Sequence, residues 1–161
     1  MRNIQIRRAL PQDHAAGIRR LSAQIAAQHL AGRPQTFRAD RKHYEEADFL
    51  QLLTQEERPI FVAAAADGRI VGYAFCILQR LENHPALRDC TFLHVDDLCV
   101  DEVCRRQGIG RKLLDAASAH AREHGAAYID LNVWDFNEDA IRFYERCGFS
   151  GRMRRMERGI D

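Results

Sequence analysis

The chain lacks the features that mark membrane, disordered and strongly basic proteins. No apolar run approaches the roughly 18–20 residues that cross a bilayer. The 10 glycines and 4 prolines among 161 residues are too few for a disordered or collagen-like chain. Lysine and arginine number 24 against 23 acidic residues, so the basic excess typical of nucleic-acid-binding domains is also missing. Because Met1–Ile4 contains no signal-peptide core, we expect a cytoplasmic protein without nucleic-acid or membrane partners.

The cysteines form no metal-binding or redox motif. Their number is odd, their spacing is irregular, and no Cys-x-x-Cys pair occurs. Thiols of this kind in a cytosolic protein are typically reduced and mostly buried. We expect this of all five, which are Cys76, Cys90, Cys99, Cys104 and Cys147.

The length predicts a single domain over residues 1–161, and the 46% hydrophobic content is enough for a sizeable core. Asp67-Gly68 between the apolar runs 60–66 and 70–78 predicts a hairpin with a type I′ turn, which needs positive φ at both central residues. Periodicity predicts the order β-α-α-β-β-β-α-β-α-β, a mixed α/β (α+β) fold. The predicted strands are 3–7, 60–66, 70–78, 91–100, 128–133 and 149–157, and the predicted helices are 12–30, 41–55, 108–124 and 137–146.

A basic loop that contains glycine follows the predicted strand at Val95–Val100 and opens a helix. It reads Arg105-Arg106-Gln107-Gly108-Ile109-Gly110-Arg111-Lys112. The first amides of a helix lack internal partners and carry partial positive charge from the helix dipole. Glycines let ligand oxygens approach the backbone closely, and the basic side chains add full charges. The loop therefore predicts an anion cradle suited to a phosphate or pyrophosphate.

Two common phosphate motifs do not fit this loop. The dinucleotide-binding pattern Gly-x-Gly-x-x-Gly requires a glycine where Leu113 stands. The Walker A pattern requires a lysine directly after its second glycine, where Arg111 stands. Two interpretations remain open: the pyrophosphate loop of another family, and a helix start lined with solvated basic residues.

A second motif, residues 137–149, has the chemistry of a short, well-capped helix. It opens with Asn137, a good N-cap, and two acidic residues that complement the helix dipole. Ala140 and Phe143 share one face, and Gly148 supplies a left-handed stop. Tyr144 neighbours that face, where it is either a cleft residue or an ordinary half-buried tyrosine.

Both motifs resemble signatures of the GNAT superfamily of acyl-CoA-dependent N-acyltransferases. Residues 105–110 fit its Arg/Gln-x-x-Gly-x-Gly/Ala pattern, and residues 137–149 fit Asn-x-x-Ala-x-x-Phe-Tyr-x-x-x-Gly-Phe. The resemblance implies a mixed sheet, splayed at its centre and flanked by helices. It also implies acetyl-CoA as co-substrate, no metal, and transfer of the acetyl group to a primary amine by direct attack. Homodimers are common among similar proteins, so a homodimer is a candidate assembly.

The same resemblance implies roles for individual residues. The end of the strand is expected to pair with the pantetheine arm, and the loop amides are expected to hold the pyrophosphate. Asn137 is expected near the pantetheine end, and Tyr144 is expected to face the thioester sulfur as the acid. The cofactor-binding residues expected on this basis are Leu98, Cys99, Val100, Arg105, Arg106, Gln107, Gly108, Ile109, Gly110, Arg111, Lys112 and Asn137.

The attacking amine needs a base, for which the strand before the loop offers three candidates. Asp96 is favoured, because similar GNAT members carry a carboxylate at the first acidic position of this strand. Asp97 is expected to point to the opposite face unless a bulge intervenes. His94 shares the face of Asp96, and a water chain leading to one of these groups is a further alternative.

Two other functions compete with acetyl transfer. The run from His120 to His124 matches the His-x-x-Glu-His pattern of a zinc hydrolase, with Glu123 as its acidic residue. Basic residues also suit the end of a helix, and the spacing indicates no third ligand from elsewhere in the chain. A non-catalytic acyl-CoA sensor with the same fold is the second alternative.

The acceptor amine is not specified by the sequence. By the GNAT plan, residues 30–40 and 83–89 are expected to wall the acceptor cleft. Candidate lining residues are His29, Arg33, Phe37, Arg38 and Tyr44.

Overall fold

The computed structural model describes residues 3–39 and 45–160. Its strands are β1 (Ile4–Arg8), β2 (Ile60–Ala65), β3 (Ile70–Leu81), β4 (Cys90–Val100) and β5 (Tyr128–Leu131). Its α-helices are α1 (Arg19–Gly32), α2 (Glu46–Leu53), α3 (Ile109–Glu123) and α4 (Glu138–Arg146). A π-helical turn, His14–Ile18, leads into α1, and a 3₁₀ turn, Glu102–Cys104, follows β4.

The strands form one mixed sheet in the order β1-β2-β3-β4-β5. The first four are antiparallel neighbours, and β5 lies parallel to β4. The hairpin between β2 and β3 is present, but Gly68 has φ 85° whereas Asp67 has no positive φ. The Gly68 amide donates to the Ala65 carbonyl, and the Ala65 amide donates to the Arg69 carbonyl, both at 2.9 Å. The connection is therefore a three-residue loop that ends in a glycine, and the predicted type I′ turn is wrong.

Apolar residues cover both faces of the sheet. On one face, α3 packs Leu113 and Ala117 against Leu93 of β4, because its apolar positions recur at helical spacing. On the other face, residues of the π-helical turn, α1 and α2 pack against β2 and β3. Gly17 permits this close approach, since a Cβ there would collide with the carbonyl of Ile70.

Strand β4 changes its surroundings part-way along its length. Up to Val95 it pairs with β3 on one side and with β5 on the other. The register against β3 then shifts, with Val95 opposite Cys76 and Asp97 opposite Phe75, so that Asp96 is the extra residue of a β-bulge. In the described chain, β4 has only β3 as a strand neighbour beyond this point. The sheet therefore opens between β4 and the end of β5.

The mixed α/β fold with a splayed sheet is confirmed, but the closing strand predicted over 149–157 is wrong. Residues 150–160 lie exposed and contain no strand. Side-chain contacts hold the segment instead: the Arg152 guanidinium lies 4.7 Å from the centroid of the Tyr128 ring. Glu157 forms an ion pair with Arg33. A local alternating pattern does not form a strand where no backbone ladder pairs with it.

The second helix is shorter than predicted. The sequence pattern predicts a helix over 41–55, whereas α2 spans Glu46–Leu53. Residues 40–44 lie outside the described part of the chain. Among the described helices, none is both long enough and apolar enough to cross a membrane.

Candidate active site

A groove of about 870 Å³ opens where β4 and β5 separate, a volume typical of ligand sites. Residues 95–100 of β4 form one wall, and residues 132–134 form the other wall together with α4. The loop before α3 forms one end of the groove, and α1 contributes to the other end. The predicted site residues that line it are Asp96, Asp97, Leu98, Cys99, Val100, Arg105, Arg106, Gly108, Ile109, Gly110, Arg111, Asn137 and Tyr144.

Two residues in the left-handed conformation shape the loop before α3. Arg106 has φ 61°, and Gly108, the N-cap of α3, has φ 77°. The space around Gly108 is open, but its φ strains any residue with a Cβ. The helix start leaves the amides of Ile109, Gly110 and Arg111 without intrahelical acceptors. These amides and the helix dipole favour an anion at this end of the groove.

Four arginines line the same end of the groove: Arg105, Arg106, Arg111 and Arg146. The Nε of Arg105 donates to the Val100 carbonyl at 3.2 Å. The Arg111 guanidinium donates to the carbonyl of Arg146, which ties the start of α3 to the end of α4. The positive charges therefore come from both walls of the groove. The hydrogen bond from Arg111 also holds those walls together.

Two predicted cofactor residues lie outside the groove. Gln107 and Lys112 are exposed and do not belong to the described residues that line it. The amide of Lys112 donates to the Gly108 carbonyl at 3.1 Å, as an intrahelical bond of α3. The start of α3 therefore offers backbone donors at 109–111, within the predicted stretch 107–112.

The side of β4 that faces the groove is an open strand edge after Val95. Leu98 and Val100 pair with β3 on the other side, opposite Ala74 and Gly72. An extended ligand can add to such an edge in the way that a further strand does. This arrangement fits the predicted pairing with a pantetheine arm.

The bulge brings two carboxylates to the same side of the sheet. The hydroxyl of Tyr73 donates to the Asp97 carboxylate at 2.8 Å, and Tyr73 belongs to the core beneath α1 and α2. Asp96 is exposed and lines a small cleft beside Leu52 and Phe75, which pack in that same core. The two aspartates therefore do not alternate as they would in a regular strand.

The surroundings of Asp97 and Tyr144 change the pKa of each group. Burial is the largest cause that raises the pKa of Asp97 to about 7, and the charge of Asp96 adds to it. Hydrogen bonds from Tyr73 and from the Leu98 amide act in the opposite direction. Burial also raises the pKa of Tyr144, and the charge of Asp97 raises it further. Near neutral pH, Asp97 can therefore gain or lose a proton, whereas the Tyr144 phenol keeps its own.

Two further predicted residues have partners of their own. The Nδ1 of His94 lies 2.7 Å from the Asp130 carboxylate, across the β4–β5 pair. His94 does not belong to the described lining of the groove, so it is a weaker candidate base than the two aspartates. The side chain of Asn137 accepts from the Ala140 amide at 3.3 Å, which confirms its role as the N-cap of α4.

A comparison with known families identifies the chain. The model of the acetyltransferase (GNAT) family matches residues 21–149. The chain belongs to the GNAT family. The match contains both motifs noted in the sequence, at 105–110 and 137–149, so the predicted family is confirmed.

GNAT relatives of the chain include a mycothiol acetyltransferase from Propionibacterium freudenreichii. It is 49% identical over 91 residues, which are 56% of this chain and 27% of that protein. Two further curated acetyltransferases are covered over 43% and 46% of their lengths. The chain thus spans less than half the length of these relatives.

Solved structures share the whole fold. The crystal structure of a tetramutant of the BH1408 protein from Bacillus halodurans has a TM-score of 0.91 at 29% identity, over 97% of this chain and 99% of that one. An aminoglycoside N-acetyltransferase in complex with CoA has a TM-score of 0.70 at 14% identity, over 99% and 96% of the two chains. The second likeness shows the fold alone.

The end of the GNAT groove beside α1 is aromatic. His29 stacks on Phe37 with ring centroids 4.9 Å apart, and Phe37 meets Trp134 edge-on at 5.3 Å. His29 and Trp134 line the groove. The Arg33 guanidinium lies 5.5 Å from the centroid of the Trp134 ring. The fold therefore brings three of the predicted acceptor residues together around a tryptophan.

Sequence reasoning missed several residues of this site. Trp134 lies three residues after the end of β5, where a splayed sheet exposes the residues that follow the strand, and this position is a usable sequence signal. Arg146 lies in the second motif, two residues after Tyr144. Of the remaining acceptor candidates, Arg38 is not part of the described lining, and Tyr44 lies outside the described residues.

Proposed function

We propose that the chain is an acetyl-CoA-dependent N-acetyltransferase that acts on a primary amine by direct attack. One observation carries this proposal: a single groove joins the anion-binding start of α3 to the Asp96–Asp97 bulge and Tyr144. The first of these features suits a diphosphate, and the other two suit proton transfer. Membership of the GNAT family and the CoA complex of a protein with the same fold support the choice of co-substrate.

Acetyl-CoA would be held by residues of three elements. The amides of 109–111 and the arginines around them would bind the diphosphate, because they combine a helix dipole with full positive charges. The open edge of β4 at 98–100 would pair with the pantetheine arm. Asn137 lies on the opposite wall and would contact the far end of that arm.

Removal of a proton from the amine is the step that most needs help. An alkyl ammonium of pKa about 10.4 is almost wholly charged at pH 7, and generating the neutral amine costs about 4.6 kcal/mol. Asp97 would accept this proton, since its pKa of about 7 keeps a useful fraction ionised near neutrality. We therefore prefer Asp97 to Asp96, which the sequence favours, and assign Asp96 the role of adding negative charge beside it.

Tyr144 would protonate the departing sulfur. Its phenol keeps its proton because burial and the charge of Asp97 raise its pKa. As the amine nitrogen adds to the thioester carbonyl and the carbon–sulfur bond breaks, the phenol would donate a proton to the thiolate. A thiol of pKa about 8.5 is already a fair leaving group, so this contribution is smaller than that of the base.

A panel of primary amines tests this proposal against a non-catalytic acyl-CoA sensor. Purified chain is mixed with acetyl-CoA and each amine, and released thiol is measured together with the mass of the acetylated product. We expect stoichiometric thiol release and product with at least one amine class. Tight CoA binding without thiol release across polyamines, aminoglycosides, amino acids and peptides would favour the sensor.

A further inference from the structure

The last turn of α3 carries three side chains that ligate metals and that acetyl transfer does not use. One ligand atom from each of His120, Glu123 and His124 lies within 4.8 Å of the others. The two imidazole rings, four residues apart on the helix, have centroids 4.0 Å apart. Imidazole and carboxylate groups at this spacing are a common donor set for divalent transition metals.

The hydrogen bonding of His124 leaves one ring nitrogen suited to a metal. Its Nδ1 lies 2.9 Å from the carbonyl oxygen of His120. A carbonyl only accepts, so Nδ1 must carry the hydrogen, and the neutral ring then presents the lone pair of Nε2. Metal-binding histidines are commonly oriented by this kind of bond from their other nitrogen to a backbone carbonyl.

His120 also has the character of a ligand. Its Nε2 is buried and has no hydrogen-bond partner within the described part of the chain. Its ring also meets Phe61 edge-on, with centroids 5.9 Å apart. The Nε2 of this ring is therefore available as a ligand atom for a metal ion, which binds the neutral imidazole.

We propose that His120, Glu123 and His124 form a binding site for one divalent transition metal ion of the zinc class. Three protein ligands leave at least one position for water. Bound there, the ion would link two consecutive turns of α3 at the C-terminal end of the helix, where His124 is the C-cap. We assign it a stabilising role, separate from acetyl transfer.

The site is distant from the anion-binding end of the groove. Glu123 is the last residue of α3 and Gly108 is its N-cap, so about 22 Å of helix separates the two ends at 1.5 Å per residue. Failure of the proposed acetyl transfer and failure of metal binding are therefore independent results.

The positive charge of Arg8 lies near the site and opposes metal binding. Its removal should therefore strengthen binding, whereas the loss of a ligand should weaken it. The Arg8 guanidinium lies over the Phe61 ring, 5.5 Å from its centroid, and the same ring meets the His120 ring edge-on. We expect Arg8→Gln to lower the metal dissociation constant, because it removes a repelling cation. A ligand variant must raise the same constant.

Equilibrium dialysis of tag-free protein against Zn²⁺, with metal counted by mass spectrometry, tests the proposal. We expect one ion per chain. We expect His124→Asn and Glu123→Gln to raise the dissociation constant at least about tenfold, the loss that follows even when an outer partner of a ligand is disturbed. His84→Asn is the matched control, since His84 lies in the exposed 82–89 loop, and it should leave the constant unchanged.

Absorption spectra with Co²⁺ separate this site from the thiols. The free cysteines offer an alternative, and two of them are only partly buried. An imidazole and carboxylate site gives weak visible bands without the strong near-ultraviolet band of a thiolate ligand. Such a spectrum, lost in His124→Asn, would support the proposal. A thiolate band, no binding, or equal affinity in the ligand variants and His84→Asn would overturn it.

Discussion

The two halves of β4 share one strand but differ in what lies beside them. Residues 92–95 lie between β3 and β5, and Leu93 and Val95 are buried in the core. Residues 96–100 have only β3 beside them and form a wall of the groove. Each half also bonds a defined partner through a polar side chain: His94 of the first half lies beside Asp130 of β5, and Asp97 of the second half accepts from Tyr73.

The difference between the halves begins at one residue. Asp96 is the extra residue of the bulge, and the last β4 residue paired with β5 is its neighbour Val95. The end of the pairing with β5 and the placement of the Asp96 and Asp97 carboxylates on one side of the sheet therefore occur at the same point of β4. A bulge of this kind converts a core strand into a functional edge without a change of fold. The following predictions test whether stability and activity divide between the two halves.

The largest effect is expected from Asp97→Asn. General-base catalysis contributes about 10²–10⁴-fold, so kcat should fall by that range while CoA affinity stays close to that of the parent chain. Asp130→Asn, on β5 opposite His94 of the first half, is the matched control and should keep most of the activity. Steady-state thiol release and calorimetric CoA titration give the two quantities. Equal losses of kcat in both variants would contradict the proposed division of stability and activity between the two halves of β4.

Leu93→Ala tests the core half of β4, where we expect a loss of stability. Leu93 is fully buried beneath α3, so its truncation should lower the free energy of unfolding by about 2–5 kcal/mol. Leu98→Ala in the groove half should cost less, because Leu98 is only partly buried. Urea unfolding of both variants measures the difference. A larger loss of unfolding free energy in Leu98→Ala than in Leu93→Ala would contradict the assignment of stability to the first half of β4.

The pH dependence of the unfolding free energy should reveal the raised pKa of Asp97. Its folded-state pKa of about 7 lies above the value in the unfolded chain, so the folded state binds the proton more tightly. Its contribution to stability is present at acidic pH and is lost as the pH rises towards 7. Relative to Asp97→Asn, the parent chain should therefore lose about 2 kcal/mol of unfolding free energy between pH 5 and pH 8. A constant difference across this range would show that the carboxyl titrates normally.

The smallest effect is expected from Tyr144→Phe. The thiolate is already a fair leaving group, so kcat should fall by only about tenfold. The variant keeps the ring, its packing against Phe149 and the shape of the groove. CoA affinity and unfolding free energy should change little. An unchanged kcat at all pH values would exclude Tyr144 as the acid.

The parts of the site that could be predicted from the sequence depend on local chemistry. Asn137 caps α4, Gly148 takes φ 92° after that helix, and Gly108 opens α3 with positive φ. Each of these features is determined within a few residues, so a sequence pattern is enough to predict it. The two motifs also identified the family correctly.

The parts that could not be predicted depend on the register between strands. The bulge at Asp96 exists only relative to β3, and a sequence read along one strand predicts regular alternation there. The raised pKa of Asp97 follows from the same register, because burial on that side is its largest cause, whereas the bond from Tyr73 lowers it. The predicted closing strand failed for a related reason, because strand formation requires a partner edge as well as a pattern.

A crystal structure of the chain with CoA would test the central claim most directly. The account predicts the diphosphate within hydrogen-bonding distance of the amides of 109–111, the pantetheine along the open edge of β4, and the thiol beside Tyr144 and Asp97. CoA bound outside this groove, or bound with its diphosphate away from the start of α3, would contradict the account.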